Sequence, residues 1–320
     1  MKRSNTTWAL ASYAVIVFAF RYGLQRSPIG QRLGAHLPLA FSSFALLLTP
    51  LWFFGFGAGE WLRAKLSSRG ARVAAGGLLV VPYLVFAIPT RDVQWTLALT
   101  MCGLPVVLAA LVESSPSSKV SWQDATALAT LVAVYMLRVL SRAWPYTGLG
   151  ALPKLYVADV ALYLYVVVRG LPGMGYSFLP QVSDILIGLR EWLFFLPFGV
   201  GLGLELHFIH FHARLPSTMA VPASLLVTFL LVAVPEEMFF RSILQNLFES
   251  RFRPWIALSA AAALFGLSHF NKGAAFNWRY VLLASIAGVF YGRAWRARRR
   301  LLAAALAHTA VDLVWSLWFR

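Results

Sequence analysis

Apolar runs of the length a bilayer requires follow one another along almost the whole chain, and no other feature restricts the fold as strongly. A membrane-spanning helix needs about 20 mostly apolar residues, because in hydrocarbon every backbone amide must find its partner within its own segment. Eleven candidate runs are legible, over residues 7–24, 36–57, 71–89, 94–113, 123–141, 153–169, 182–204, 217–248, 254–270, 278–294 and 300–319. The expected fold is therefore all-α, a polytopic transmembrane helical bundle of about 10–11 membrane helices. Composition agrees: 59% of residues are hydrophobic and 12% charged, against roughly a quarter charged in soluble domains. Breakers such as Ser67-Ser68, Ser114-Ser115-Pro116-Ser117-Ser118 and Gly170-Leu171-Pro172-Gly173 separate the runs, and none is long enough to be a flexible linker.

The net charge of +16 does not indicate nucleic acid, because the basic residues sit mostly in short connections between apolar runs. Arg293, Arg296, Arg298, Arg299 and Arg300 precede the last run, and Arg63, Lys65, Arg69 and Arg72 separate the second from the third. An even number of helices divides these loops, so both can face the cytoplasm, where anionic lipid favours them. Arg21, Arg26 and Arg32 then face outward, against this trend. Met1-Lys2-Arg3 resembles the start of a secretion signal, but Arg21 and the spans that follow favour a retained first helix. The single cysteine, Cys102, excludes an internal disulfide and a cysteine metal cluster and reads as a packing residue.

Within this apolar chain the stretch Val234–Phe248, VPEEMFFRSILQNLF, carries two adjacent carboxylates and an arginine. A charge at bilayer depth costs a few kcal/mol even on lenient insertion scales. Glu237 and Arg241 are four residues apart, acid first, the favourable order for a pair on one helix face. Glu236 lies about 100° round the helix from Glu237. Four residues on from it stands Phe240 rather than a base, and a poorly solvated carboxylate is a stronger base than one in water. An interfacial snorkelling cluster is the alternative.

His269 and His308 also lie in late apolar runs, with Phe265 four residues before the first and Asp312 four after the second. Phe265 can wall the space around His269, and Asp312 can hold a ring nitrogen of His308. Counted along their helices, Glu236, His308 and His269 fall roughly 18, 12 and 22 Å from one membrane face. Three helices can thus bring them together, which snorkelling gives no reason to expect. Elsewhere, Asp159 is expected to form a structural ion pair, with Arg138 on the preceding helix as the candidate partner, and a proton or substrate site is the alternative. His207, His210 and His212 form an HxxHxH pattern that suits either a transition metal or an interfacial loop.

By these residues the chain resembles the CAAX-protease and bacteriocin-processing family of intramembrane glutamic proteases, which includes the Ras-converting endopeptidase. Glu236-Glu237-Met-Phe-Phe-Arg241 is similar to its EExxxR motif, Phe265-Gly-Leu-Ser-His269 to FxxxH and His308-Thr-Ala-Val-Asp312 to HxxxN/D, in the family's order. Gly288 and Gly292 look similar to its small-residue packing. The resemblance covers roughly residues 217–320, an expected catalytic helical core, and leaves residues 1–216 as N-terminal transmembrane helices without an assigned role. It implies that Glu236 with His269 activates water for attack on a peptide carbonyl while His308 and Asp312 stabilise the oxyanion. Glu237, Arg241 and Phe265 support that set. An ionised Asp312 cannot donate a hydrogen bond, so it either carries a proton or orients His308.

Three other functions remain open. A zinc-dependent version of the same hydrolysis would use Glu236, His269 and His308 as ligands, although no HExxH is present. Otherwise no cofactor is expected. A transporter could relay protons or ions through the same groups, although no internal repeat is visible. An immunity or scaffold protein could keep the fold without the chemistry. The expected partners are the lipid bilayer and a peptide or membrane-protein substrate, lipidated or not, with no nucleic acid. The expected location is a cell membrane, that of the bacterial cytoplasm.

Overall fold

The computed structural model describes residues 3–115, 119–212, 220–272 and 276–319. Residues 116–118, in the serine-rich break, and 213–219, which contain the expected 216/217 domain boundary, lie outside the described residues. Among the described residues all regular structure is helical, and the only extended pairing is an isolated antiparallel bridge between Phe211 and Phe319.

The all-α polytopic bundle is present, with eight helices among the described residues long and apolar enough to cross a membrane, where about 10–11 were expected. The other three runs are also helical. Trp122–Met136 has 15 residues and Pro254–Leu267 has 14, too few for a full bilayer. Trp278–Arg298 has 21 but carries Arg279, Arg293, Arg296 and Arg298. Breaker residues set the ends: Ser68 accepts a hydrogen bond from the Ala71 amide at 3.1 Å, and Ser121 and Asp124 cap each other's backbone as a capping box.

The chain forms two compact units, residues 1–171 and 172–320. In the first, an ion pair joins Arg169 Nε to Asp124 Oδ1 at 2.7 Å, and both side chains are almost wholly buried. Arg169 also donates to the Lys119 carbonyl at 3.0 Å. This corrects the expected pairing of Asp159 with Arg138. Asp159 is buried, but the helix ends at Met136 and Arg138, just past it, is exposed with φ of 53°.

The second unit contains the motif-bearing helices and also Val182–Glu205, which packs against Trp278–Arg298 and Leu301–Trp318. Arg300 Nε meets Asp184 Oδ1 at 2.6 Å, and buried Glu191 meets Arg190 at 2.8 Å and Arg293 at 3.1 Å. The path into this unit needs Gly175: its φ is +64°, and a Cβ there would strike the Arg299 backbone. Its carbonyl accepts from the Leu301 amide at 2.9 Å and so pins the start of the last helix.

The span Val221–Glu249 alternates between helix types, with π turns at Phe229–Ala233 and Met238–Gln245 and α turns at Val234–Glu237 and Asn246–Glu249. Pro235 lacks the amide hydrogen that would close the turn before it, and it directly follows the widened turn Phe229–Ala233. Glu236 and Glu237 occupy the short α segment between the two wide ones. Behind them, Pro254–Leu267 lies tight against Trp278–Arg298. A Cβ on Gly288 would come within 3.1 Å of Ala262 Cα and 3.2 Å of Phe265 Cδ1.

Candidate active site

Adjacent acids on one helix face different surroundings here. Glu237 is completely buried, and its Oε2 receives Arg241 Nε at 2.9 Å, the four-residue pair expected from the sequence. Its other oxygen, Oε1, lies 2.8 Å from His308 Nδ1 on the last helix. A carboxylate held by a guanidinium accepts, so Nδ1 donates and His308 is fixed by the nitrogen turned away from Glu236. Glu236, one residue earlier, keeps 15% of its side chain exposed. Its Oε2 is 3.9 Å from His308 Nε2, and Asp312 Oδ2 is 3.5 Å from the same nitrogen. The imidazole of His308 thus bridges a dry carboxylate and two accessible ones.

His269 follows the end of Pro254–Leu267, where its Nδ1 lies 2.9 Å from the Phe265 carbonyl and 3.1 Å from Ser268 Oγ. Ser268 itself donates to that carbonyl at 2.7 Å. A carbonyl oxygen can only accept, so Nδ1 carries the proton and Nε2 presents a lone pair. The Phe265 ring packs edge-on against both imidazoles, 5.0 Å from His269 and 5.7 Å from His308 between centroids. The ring also meets Phe240 and Tyr291, and Arg241 Cζ lies 5.2 Å from its centre.

Glu236, His269, His308 and Asp312 all line one cavity of about 100 Å³, room for several water molecules. Its remaining wall is mostly apolar, including Phe195, Val232, Leu283, Ala287 and Trp315, with Gly199 among them. Phe265 lines it as well, whereas Glu237 and Arg241 stay behind His308. Sequence reasoning missed two tyrosines on Trp278–Arg298. Tyr291 stacks on His308 with centroids 4.5 Å apart and planes 12° apart, and Tyr280 lies 4.8 Å from the His269 ring. Lys272 Nζ, also at the cavity, is 3.5 Å from the Tyr280 hydroxyl. Only the spacing of Tyr280, Tyr291 and the two glycines on one helix could have pointed to them.

Among the described residues no three His, Cys, Asp or Glu side chains form a metal-ligating group. Nδ1 of each site histidine is engaged, which leaves both Nε2 atoms turned to the cavity, with Glu236 Oε2 at 3.9 Å from that of His308. No chemical step below is routed through a metal. His207, His210 and His212 are exposed, and the His212 amide donates to the Trp318 carbonyl at 2.8 Å.

Residues 218–314 match the family described as type II CAAX prenyl endopeptidase Rce1-like. The chain matches no curated protein and no solved structure. The matched segment contains Glu236, Glu237, Arg241, Phe265, His269, His308 and Asp312. This segment is thus similar to the CAAX-protease family, which indicates a peptidase, and it lies in a chain of membrane-length apolar helices.

Proposed function

We propose that the chain hydrolyses a peptide bond of a membrane-associated or membrane-protein substrate with water activated by Glu236 and His269. The observation that carries this reading is the convergence of Glu236, His269, His308 and Asp312 on one cavity. Water held between the Glu236 carboxylate and the His269 Nε2 lone pair gives a proton to Glu236 as its oxygen bonds to the scissile carbonyl carbon. The carbonyl π pair moves to oxygen, where a proton on His308 Nε2 meets the developing charge. Collapse breaks the C–N bond, and Glu236 returns its proton to the leaving amine. Asp312, 3.5 Å from His308 Nε2, orients that imidazole and holds its charged form. An ionised Asp312 needs no donor role in this scheme.

The test uses the reconstituted full chain with a transmembrane peptide library, read by mass spectrometry. Glu236→Gln keeps the size and hydrogen-bonding capacity of the side chain but removes the base. Cleavage is expected to be lost while the thermal transition stays in place, and an active Glu236→Gln protein would mean that another group is the base. The reaction is also expected to persist in the presence of a chelator, because the proposed steps need no metal. Lipidated and unlipidated peptides in the same library would show which the apolar wall accepts.

A further inference from the structure

The buried face that runs from the site towards Glu249 carries more polar atoms than the protein itself satisfies. Glu237, Arg241, Gln245 and Glu249 recur every fourth residue, and Glu237, Arg241, Ser242 and Gln245 are each 0% exposed. Protein bonds account for part of this face. Arg241 Nε holds Glu237 at 2.9 Å, and Gln245 Nε2 donates to Glu249 Oε1 at 3.2 Å and to the Gly292 carbonyl at 3.4 Å. Glu249 is closed off by Arg296 at 3.3 Å and by Arg299. Left over are Arg241 Nη1 and Nη2, Ser242 Oγ and Gln245 Oε1, none with a hydrogen-bond partner among the described residues.

Such atoms lose their full solvation when buried alone, and a guanidinium loses most. Their chemistry selects the missing partner. The two guanidinium nitrogens need acceptors and Gln245 Oε1 needs a donor, so an anion would serve the first and repel the second. Water does both. Gly292 packs closely opposite: a Cβ there would come within 2.3 Å of Leu258 Cδ1 and 2.6 Å of Gln245 Oε1, so no side chain from that helix can supply the missing partner.

We propose that a file of ordered internal water occupies this face and solvates Arg241 between the Glu237–His308 pair and the Glu249, Arg296 and Arg299 cluster. It forms a hydrated route to the buried side of His308, distinct from the cavity that Glu236 faces. This hydration stands on the packing alone. Its relevance to catalysis rests on the proposed function.

X-ray hydroxyl-radical footprinting of the full chain in lipid nanodiscs tests it, because radicals form at bound water even where side chains are closed to solvent. Met238, on the turn before Ser242, and Met101, in the other unit, are both 0% exposed. Met238 is expected to oxidise several-fold faster than Met101, and to fall towards the Met101 rate in Gln245→Leu. Ser242→Ala, a smaller change, gives the same readout if Gln245→Leu does not fold. A Met238 rate no higher than that of Met101, or one unchanged in the folded variants, overturns the proposal. Neither measurement involves a substrate, so failure of the protease reading leaves this result standing and is seen separately in the cleavage assay.

Discussion

Glu236 and Glu237 show how one residue of displacement along a helix gives two carboxylates different surroundings. Glu237 is closed in by Arg241 and His308, while Glu236 meets the cavity. Breaking a buried ion pair from one side leaves an uncompensated charge and costs about 3–5 kcal/mol. Arg241→Ala is therefore expected to reduce folded yield and lower the melting temperature, with Glu237 left unpaired. A variant with the yield and transition of the parent would show that the pair does not hold the site. Glu237→Gln is expected to damage stability and activity together, because it weakens both the arginine and the His308 Nδ1 bond. Glu236→Gln should touch activity alone.

At the scale of elements, the site depends on how closely Pro254–Leu267 approaches Trp278–Arg298. Gly288 permits that approach, since its missing Cβ leaves Ala262 and Phe265 in place, and Phe265 packs against both histidines. Overpacking a close-packed contact costs about 1–3 kcal/mol. Gly288→Val is expected to lower stability by that order and cleavage by more, because displacing Phe265 moves the carbonyl that fixes the His269 tautomer. Parallel melting and cleavage measurements would check this. Equal activity at reduced stability would mean that the imidazoles are placed by something other than Phe265. The π turns on either side of Glu236 and Glu237 are part of the same design, since a uniform α-helix would rotate the flanking residues onto other faces.

For the whole molecule, the chain divides into two compact units, and the residues lining the candidate site all lie in the second. Asp124→Ala removes the partner of buried Arg169 in the first unit, again a loss of about 3–5 kcal/mol. It is expected to bring a melting transition down while cleavage below that transition continues at the parent rate, as for cooperative units that open separately. A loss of cleavage as complete as in Glu236→Gln would show that the first unit takes part in the reaction.

The sequence by itself determined the properties that are local along the chain. Run lengths required membrane helices, and the four-residue spacing of Glu237 and Arg241 was enough to pair them, because neighbours on one helix face are set by helical geometry. The order of Glu236, Phe265, His269, His308 and Asp312 carried the family resemblance. Helix count was less legible: Pro254–Leu267 and Trp122–Met136 read as apolar runs but stop short, and Trp278–Arg298 is too charged to count with the others. Contacts between distant segments belonged to the tertiary structure. Arg169 rather than Arg138 pairs with a buried acid, and that acid is Asp124, not Asp159. Glu237 holds His308 as well as Arg241, and Tyr291 stacks behind that imidazole. Spacing cannot specify such partners, because which side chains meet across a bundle depends on helix rotation and approach, and these are fixed only when all the helices pack at once.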